Sequence, residues 1–215
     1  VNGKNLLMDV RRMNTFRKAE IHTVAMGEAD SRLLRQLAEQ GLGGYRPLGI
    51  LGRGGLINAW WLMGPYPAKS IETWDRAEEP EQGVTLRQPL TIGEDRVRWK
   101  RVFSGHKNGV VGLARELGAH DGAAAYAYAE IDAKAGGPAR LKLGSNDGVR
   151  VWLNGALVHS VLEKRSLTVD QDTVDVELQK GPNRILVKVM NHQGTWQLCL
   201  RITGEDDKPY PFLMR

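Results

Sequence analysis

The chain has 215 residues, of which 41% are hydrophobic and 26% are charged, and its formal net charge at pH 7 is +5. This composition is ordinary for a folded globular protein and argues against disorder. No apolar run approaches the roughly 20 residues of a membrane-spanning helix, so we expect no membrane span. Basic and acidic residues are interleaved, which does not indicate a nucleic-acid partner. The single cysteine, Cys199, excludes an internal disulfide and a cysteine-rich zinc site.

Helical periodicity dominates residues 1–48. An apolar face recurs at helical spacing over residues 6–16, and a short apolar run at residues 21–26 is typical of a buried strand. A second helical stripe covers residues 33–38, and Gly41 is placed to end that helix. We therefore expect a helix-strand-helix α/β segment, which is too short to close a layered fold alone.

The remaining boundaries follow from composition. Residues 49–55 are rich in glycine and predict a linker. Residues 56–207 carry strand patterns, and residues 208–215 form a tail. Val, not Met, stands at position 1, so we expect the chain to be a processed product or a piece of something longer.

Apolar and polar residues alternate with period two along most of the second part, with Gly, Asn and Asp turns between the runs. Several such short strands predict an antiparallel β-sandwich, which makes the chain mainly β. The apolar positions that carry this pattern are Val97, Trp99, Phe103, Leu141, Leu143, Val174, Val176, Leu178, Ile185, Val187, Val189, Leu198, Leu200 and Ile202.

One hairpin is marked by Asn154-Gly155, the strongest sequence signal for a type I′ turn. A two-residue turn there pairs Leu153 with Ala156 and Val151 with Val158, whose apolar side chains share one face. That face is predicted to be the core.

The same alternation along the strands predicts the face on which each tryptophan lies. Trp152, together with His159, is expected on the opposite face of the hairpin. Trp196 is in phase with the apolar positions of its strand and is expected in the core. Trp99 is likewise in phase with Val97 and is also expected in the core.

The first segment resembles the end of a von Willebrand factor type A domain. The matching motifs are IHTVAMG at residues 21–27, LLRQLA at 33–38 and GGY at 43–45. The metal-ion adhesion signature of that family, Asp-x-Ser-x-Ser, does not occur, so no metal ligand is carried over. The resemblance implies that the chain starts inside a domain and is a fragment of a larger protein.

The second part resembles galactose-binding-like jelly rolls, through GSNDGVRVWLNG at residues 144–155. Further ordered matches are WLMGPY at 61–66, DQD at 170–172, LQKGPN at 178–183 and GTW at 194–196. These domains occur as accessory parts of large exported bacterial proteins. The resemblance therefore implies a bacterial protein outside the cytoplasm: periplasmic, surface-bound or secreted.

Five residues are candidates for carbohydrate contact: Trp152, Trp74, Asn146, Asp147 and His159. An outer-face Trp152 suits stacking on a sugar ring, unless a loop or the N-terminal segment covers it. Trp74 stands among charged residues and suits either a free aromatic platform or a loop anchor. Asn146-Asp147 suits either ligand contact or a turn closed by its own side chains.

Calcium is the one cofactor that the motifs suggest. Protective-antigen-like modules share a similar Asp-Asp-Gly turn, and some bind calcium and sugar there. Asp147, Asp170 and Asp172 are the candidate ligands, although Asn146 stands where that pattern usually has Asp. Calcium needs six to eight oxygens from more than one loop, so these loops must converge. The alternative is an ordinary turn.

No catalytic motif stands out. The five histidines are scattered without metal-ligand spacing, and there is no nucleophile elbow, phosphate loop or dinucleotide fingerprint. We therefore expect no enzyme, unless the chain is an accessory part of a larger one. The predicted function is a non-catalytic carbohydrate-binding or surface-recognition module with a glycan partner. The alternative is a structural module that packs neighbouring domains or other subunits without a small ligand.

Overall fold

The computed structural model describes residue 8 and residues 23–25, 31–40, 45–47 and 53–215. The chain divides into two compact units, Val1–Leu51 and Gly52–Arg215. The helical face predicted over residues 6–16 lies almost wholly outside the described residues. No helix among the described residues is both long and apolar enough to cross a membrane.

The first unit contains a β-α-β arrangement. Strand β1 (Thr23–Ala25) is followed by helix α1 (Ser31–Gln40) and strand β2 (Tyr45–Pro47), and the two strands pair in parallel. Helix α1 packs on both strands and buries Leu37 and Ala38, the C-terminal part of its predicted apolar stripe. The second strand at residues 45–47 was not predicted, because three residues carry too little alternation to recognise.

The second unit is an antiparallel β-sandwich, and its larger sheet has seven strands. They are β3 (Ala59–Pro67), β6 (Lys100–Phe103), β8 (Ala123–Ala133), β10 (Val149–Leu153), β11 (Ala156–Val161), β13 (Gly181–Asn191) and β15 (Phe212–Met214). Their order is β11-β10-β13-β8-β3-β6, and β15 pairs with the C-terminal end of β8. The predicted fold class is confirmed.

The smaller sheet has four strands in the order β12-β9-β14-β7. They are β7 (Val111–Gly112), β9 (Gly137–Asn146), β12 (Asp172–Leu178) and β14 (Gln197–Thr203). Helix α4 (Leu113–Leu117) directly follows β7. The loop before β3 also belongs to this unit, because Gly55 packs against the backbone of β14 and Leu56 bridges Arg201.

The core between the sheets combines small and large side chains. Strand β8 presents a row of buried alanines to this core, Ala123, Ala125, Ala127 and Ala129. Two fully buried tryptophans belong to the same core, Trp60 and Trp196. The small residues leave volume that the indole rings fill, as close packing requires. Each indole N–H is satisfied: Trp60 donates to the Ile57 carbonyl (3.0 Å) and Trp196 to the Val189 carbonyl (3.2 Å).

The β10–β11 hairpin has the predicted turn but a different register. Asn154 and Gly155 both have positive φ (52° and 89°), as a type I′ turn requires. Leu153 pairs with Ala156, and Trp152 pairs with Leu157. A bulge then shifts the register, so the prediction for the next pair was wrong.

Beyond the bulge, Val151 pairs with His159 instead of Val158. Val149, Val151 and Leu153 still point into the inner core, as predicted, and Trp152 lies on the outer face. His159 now shares the face of Val151, so its predicted position beside Trp152 was wrong. One extra residue in a strand carries no signature in the alternation, and the bulge could not be foreseen.

A second layer covers the outer face of the large sheet. It consists of the short helices α2 (Ile71–Asp75) and α3 (Glu79–Gln82) and the hairpin of β4 (Leu90–Ile92) and β5 (Asp95–Val97). Trp99 lies in the break between β5 and β6 and packs in this outer layer, not in the inner core as predicted. The apparent alternation from Val97 to Phe103 spans two strands that face different cores.

Candidate functional site

The outer face of the large sheet is apolar where the second layer of short elements, which we call the cover, packs on it. Six large buried side chains from four strands form this surface: Met63, Tyr66, Tyr126, Tyr128, Trp152 and Leu186. They cluster with Val84, Leu86, Leu90 and Trp99 from the covering layer. Apolar area is thereby removed from water on both faces of the sheet. The cover does not close completely at the end near the β10–β11 turn.

A pocket of about 680 Å³ remains between residues 80–87 and the large sheet. Its floor is formed by Trp152, Tyr128 and Leu186 from three neighbouring strands. The Asn154-Gly155 turn forms one end, and residues 80–87 form the wall opposite the sheet. We call residues 80–87 the pocket wall.

The floor is aromatic and mostly covered. Trp152 is 9% exposed and Tyr128 is 6% exposed. The Tyr128 ring packs against Trp99 with ring centroids 6.3 Å apart. Burial, with a smaller contribution from Glu130, raises the pKa of Tyr128, and Arg184 only partly offsets this rise. The phenol is therefore neutral at ordinary pH and can donate a hydrogen bond.

Charged and amide groups line the rim. The Arg184 guanidinium, 71% exposed, lies 3.9 Å from the Glu130 carboxylate, which is longer than a hydrogen bond. Such an exposed pair contributes little to stability, so both groups retain hydrogen-bonding capacity. Arg87 is exposed, and its guanidinium has no ion-pair partner among the described residues. Asn154 is held in place, because its Oδ1 accepts from the backbone N–H of Arg184 (2.8 Å).

The pocket wall is joined to the sheet by a buried ionic cluster. Lys188 of β13 is 1% exposed, and its Nζ donates to the Trp74 carbonyl (2.7 Å), the Arg76 carbonyl (3.0 Å) and Glu81 Oε1 (3.2 Å). The Tyr126 hydroxyl donates to the same Glu81 oxygen. Burial lowers the pKa of Lys188, and Glu81 opposes that shift.

Of the five predicted carbohydrate contacts, the pocket includes Trp152. Trp74 is fully buried, and two cations contact its ring, Arg150 at 5.3 Å and Lys188 at 5.1 Å from the centroid. It has no exposed face for a sugar, so the platform prediction was wrong and its place is that of a loop anchor. Whether Trp152 contacts a glycan stays a prediction.

Asn146 and Asp147 lie in the sandwich away from the pocket lining and are less than 9% exposed. The Asp147 carboxylate accepts from the backbone N–H groups of Arg165 (3.1 Å) and His192 (2.6 Å). Asn146 Nδ2 donates to Thr195 Oγ1 (3.0 Å). These side chains therefore join their own turn to the loop that contains Arg165 and to the loop that contains His192 and Thr195. This structural role favours the alternative of an ordinary turn.

His159 reaches the opposite sheet. Its Nε2 lies 3.1 Å from Asp172 Oδ2 of β12. Arg165 donates to both oxygens of the same carboxylate, at 2.9 and 2.6 Å. Burial alone raises the pKa of Asp172, but Arg165 and His159 outweigh burial and hold that pKa below its usual value.

The three candidate calcium ligands do not fit a calcium ion. Asp172 is engaged by Arg165, Asp170 by Arg201 Nε (2.8 Å), and Asp147 by backbone donors. Across the described ranges, no three His, Cys, Asp or Glu side chains come together in a way that would hold a metal. At Asp170 and Asp172 an arginine guanidinium therefore contacts the carboxylate where a calcium ion would have to bind.

Sequence reasoning missed Tyr128, Glu130, Arg87 and Arg184. A signal for the first two was present, because AYAYAE at residues 125–130 alternates alanine with larger side chains. That pattern predicts a strand with Tyr128 and Glu130 on one face. Nothing local identifies the arginines, which reach the pocket only through the fold.

No protein-family model matches the chain, and no curated protein matches it either. A solved PA14 sugar-binding domain from an RTX adhesin is 18% identical, with a TM-score of 0.35 over 43% of this chain and 51% of that one. A family 35 carbohydrate binding module from Clostridium thermocellum is 16% identical, with a TM-score of 0.31 over 38% of this chain and 71% of that one.

A β-glucosidase from Kluyveromyces marxianus is 11% identical, with a TM-score of 0.43 over 94% of this chain and 29% of that one. The first three solved chains are matched over 32%, 51% and 52% of their own length, so this chain spans about a third to a half of them. At such identities and TM-scores these likenesses carry no argument about function.

Proposed function

We propose that Gly52–Arg215 is a non-catalytic carbohydrate-binding module that binds a glycan in the pocket between the large sheet and residues 80–87. The observation that carries this proposal is an aromatic floor beside a rim of hydrogen-bonding groups. The module belongs, on this proposal, to a larger exported bacterial protein. Residues 1–48 are then the end of a von Willebrand factor type A domain, as their motifs suggest.

The pocket chemistry suits a sugar. A pyranose has apolar C–H faces and a ring of hydroxyls, and the floor offers Trp152 and Tyr128 to the former. The hydroxyls need donors and acceptors, which Arg184, Glu130 and Asn154 provide. A volume of about 680 Å³ also lies within the usual range of small-ligand pockets.

The carboxylates of the pocket support binding rather than hydrolysis. Glycoside cleavage ordinarily needs two carboxyl groups that flank the scissile bond. Two glutamates line the pocket, and Glu81 is engaged by Lys188 and Tyr126. Glu130 therefore has no second carboxyl group in the lining that is free of such partners.

Affinity gel electrophoresis tests the proposal with a panel of xylan, β-glucan, galactomannan and polygalacturonate. We expect at least one polysaccharide to retard the wild type. Arg184→Ala should lower the affinity about tenfold, because it removes a charged hydrogen-bond donor of the rim. Arg115→Ala is the matched control, since Arg115 is 75% exposed and lies outside the pocket lining. A folded protein that no polysaccharide retards contradicts the proposal.

The second candidate is an interaction module without a small ligand. Its supporting observation is the strand β11, which ends the large sheet and exposes Leu157 (54%). Leu162, just after this strand, is 41% exposed. An edge strand with exposed apolar side chains can pair with another chain. Sedimentation velocity of wild type and Leu157→Lys decides this candidate: concentration-dependent association that the variant abolishes supports it.

A further inference from the structure

The buried ionic cluster around Lys188 connects the large sheet to the pocket wall. Lys188 Nζ has three oxygen acceptors, and its ammonium group also lies 5.1 Å from the Trp74 ring and 5.5 Å from the Tyr126 ring. An ammonium group without water needs such partners, because its desolvation is otherwise uncompensated. The cluster therefore attaches the cover firmly to the sheet.

The acceptors come from both helices of the cover. The Trp74 and Arg76 carbonyls belong to the end of α2, and Glu81 belongs to α3. Glu81 is the one side chain among them, and its Oε1 accepts from donors on two strands, Lys188 of β13 and Tyr126 of β8. A single carboxylate oxygen thus joins α3 to the middle of the sheet.

The rest of the pocket wall has weaker attachments. Among the described residues, no backbone hydrogen bond joins residues 82–88 to the large sheet. Val84 and Leu86 contribute apolar contacts with the outer cluster. The Arg87 carbonyl accepts from Arg98 at 3.5 Å, the limit of a hydrogen bond. Glu81 is therefore the strongest polar attachment at the start of the wall.

We infer that Glu81 is a positioning residue of the pocket: its carboxylate, held by Lys188 and Tyr126, sets the distance between the wall and the aromatic floor. The expected effect on binding rests on the proposed function, because a displaced wall would keep the floor and the rim from contacting the same sugar. Its structural part, the attachment of the wall, stands independently of any ligand.

Hydrogen–deuterium exchange of Glu81→Gln tests the attachment. The amide keeps the length of the side chain but removes the charge that the buried ammonium requires. We expect exchange in peptides covering residues 80–88 to rise at least fivefold, with exchange in β9 and β14 unchanged. Glu79→Gln is the control, because Glu79 is an exposed carboxylate on the same helix. Tyr126→Phe removes one donor and should give a smaller rise.

Affinity for the panel polysaccharide that retards wild type most gives the second readout, and we expect a tenfold loss for Glu81→Gln and none for Glu79→Gln. Equal exchange of residues 80–88 in these two variants overturns the inference, whatever the binding result. Faster exchange with unchanged affinity also overturns it. If no polysaccharide binds wild type, the proposed function fails, and the exchange data still decide whether Glu81 fixes the wall.

Discussion

Tryptophan burial in this chain depends on partners that are distant in sequence. Trp74 is surrounded by charged neighbours along the chain, a pattern that suggested an exposed ring. Its ring instead packs against Arg150 and Lys188, which come from two neighbouring strands of the large sheet. Local polarity describes the chain and not the opposing surface, so it left the aromatic platform and the loop anchor both open for Trp74. The face of Trp152 was predictable, because strand phase is a local property.

Asp172 should make stability depend on pH at the acid end. Burial alone would raise the pKa of Asp172, but Arg165 and His159 hold that pKa below its usual value in the folded protein. A carboxyl group with a lowered folded pKa stabilises the fold above its unfolded pKa, and this contribution is lost as pH falls through the folded pKa. We expect Asp172→Asn to lower the free energy of unfolding by about 2 kcal/mol at pH 7.

Urea denaturation at pH 7, 5, 4 and 3 measures this effect. The difference between wild type and Asp172→Asn should still be present at pH 5 and should shrink below about pH 4, as the Asp172 carboxylate is protonated. Asp206→Asn serves as the control, because Asp206 pairs with Lys208 at the exposed surface. A difference that stays the same down to pH 3 would show that the charge of Asp172 does not stabilise the fold.

At the level of elements, the turns were more predictable than the registers. Asn154-Gly155 determines a tight turn through backbone conformation alone, and the structure has that turn. The bulge after it depends on how β11 meets its surroundings, including the contact of His159 with Asp172 on the other sheet. A register that is set by contacts between sheets cannot be derived from one strand.

Strand β9 and the loop before β12 meet at Gly144 with no space for a side chain. A Cβ atom at Gly144 would lie 2.1 Å from the Thr168 carbonyl oxygen and 3.3 Å from Cys199 Sγ. We expect Gly144→Ala to lower the free energy of unfolding by about 2 to 3 kcal/mol, because backbone must move to admit the methyl group. Urea denaturation followed by tryptophan fluorescence measures the change.

Gly105→Ala is the matched control, since nothing lies within 4 Å of a Cβ there. It should change the free energy of unfolding by less than about 0.5 kcal/mol. Equal denaturation midpoints for the two variants would contradict the prediction. They would show that the loop at Thr168 can move to admit the methyl group without lowering the free energy of unfolding.

At the scale of the molecule, period-two alternation predicted the two-sheet sandwich but not the layer of short elements that covers the outer face of the large sheet. The cover is made of helices of five and four residues and a hairpin with three-residue strands. Elements this short carry almost no periodic signal. The pocket lies between that cover and the sheet, so its arginines, and the anchoring of its wall by Glu81, could be found only in the structure.

The sandwich unit should fold without the first unit. Every residue of the inner core and of both outer clusters belongs to Gly52–Arg215, as far as the described residues define them. We expect a protein of residues 52–215 to unfold cooperatively, with a Tm within about 3 °C of the whole chain, because a shift of that size corresponds to less than about 1 kcal/mol. Calorimetry of both proteins measures it, and affinity electrophoresis on the same panel compares their binding. A Tm lower by about 10 °C, with self-association of the shorter protein, would show that the first unit covers apolar surface of the sandwich, and would favour the interaction-module alternative over the glycan pocket.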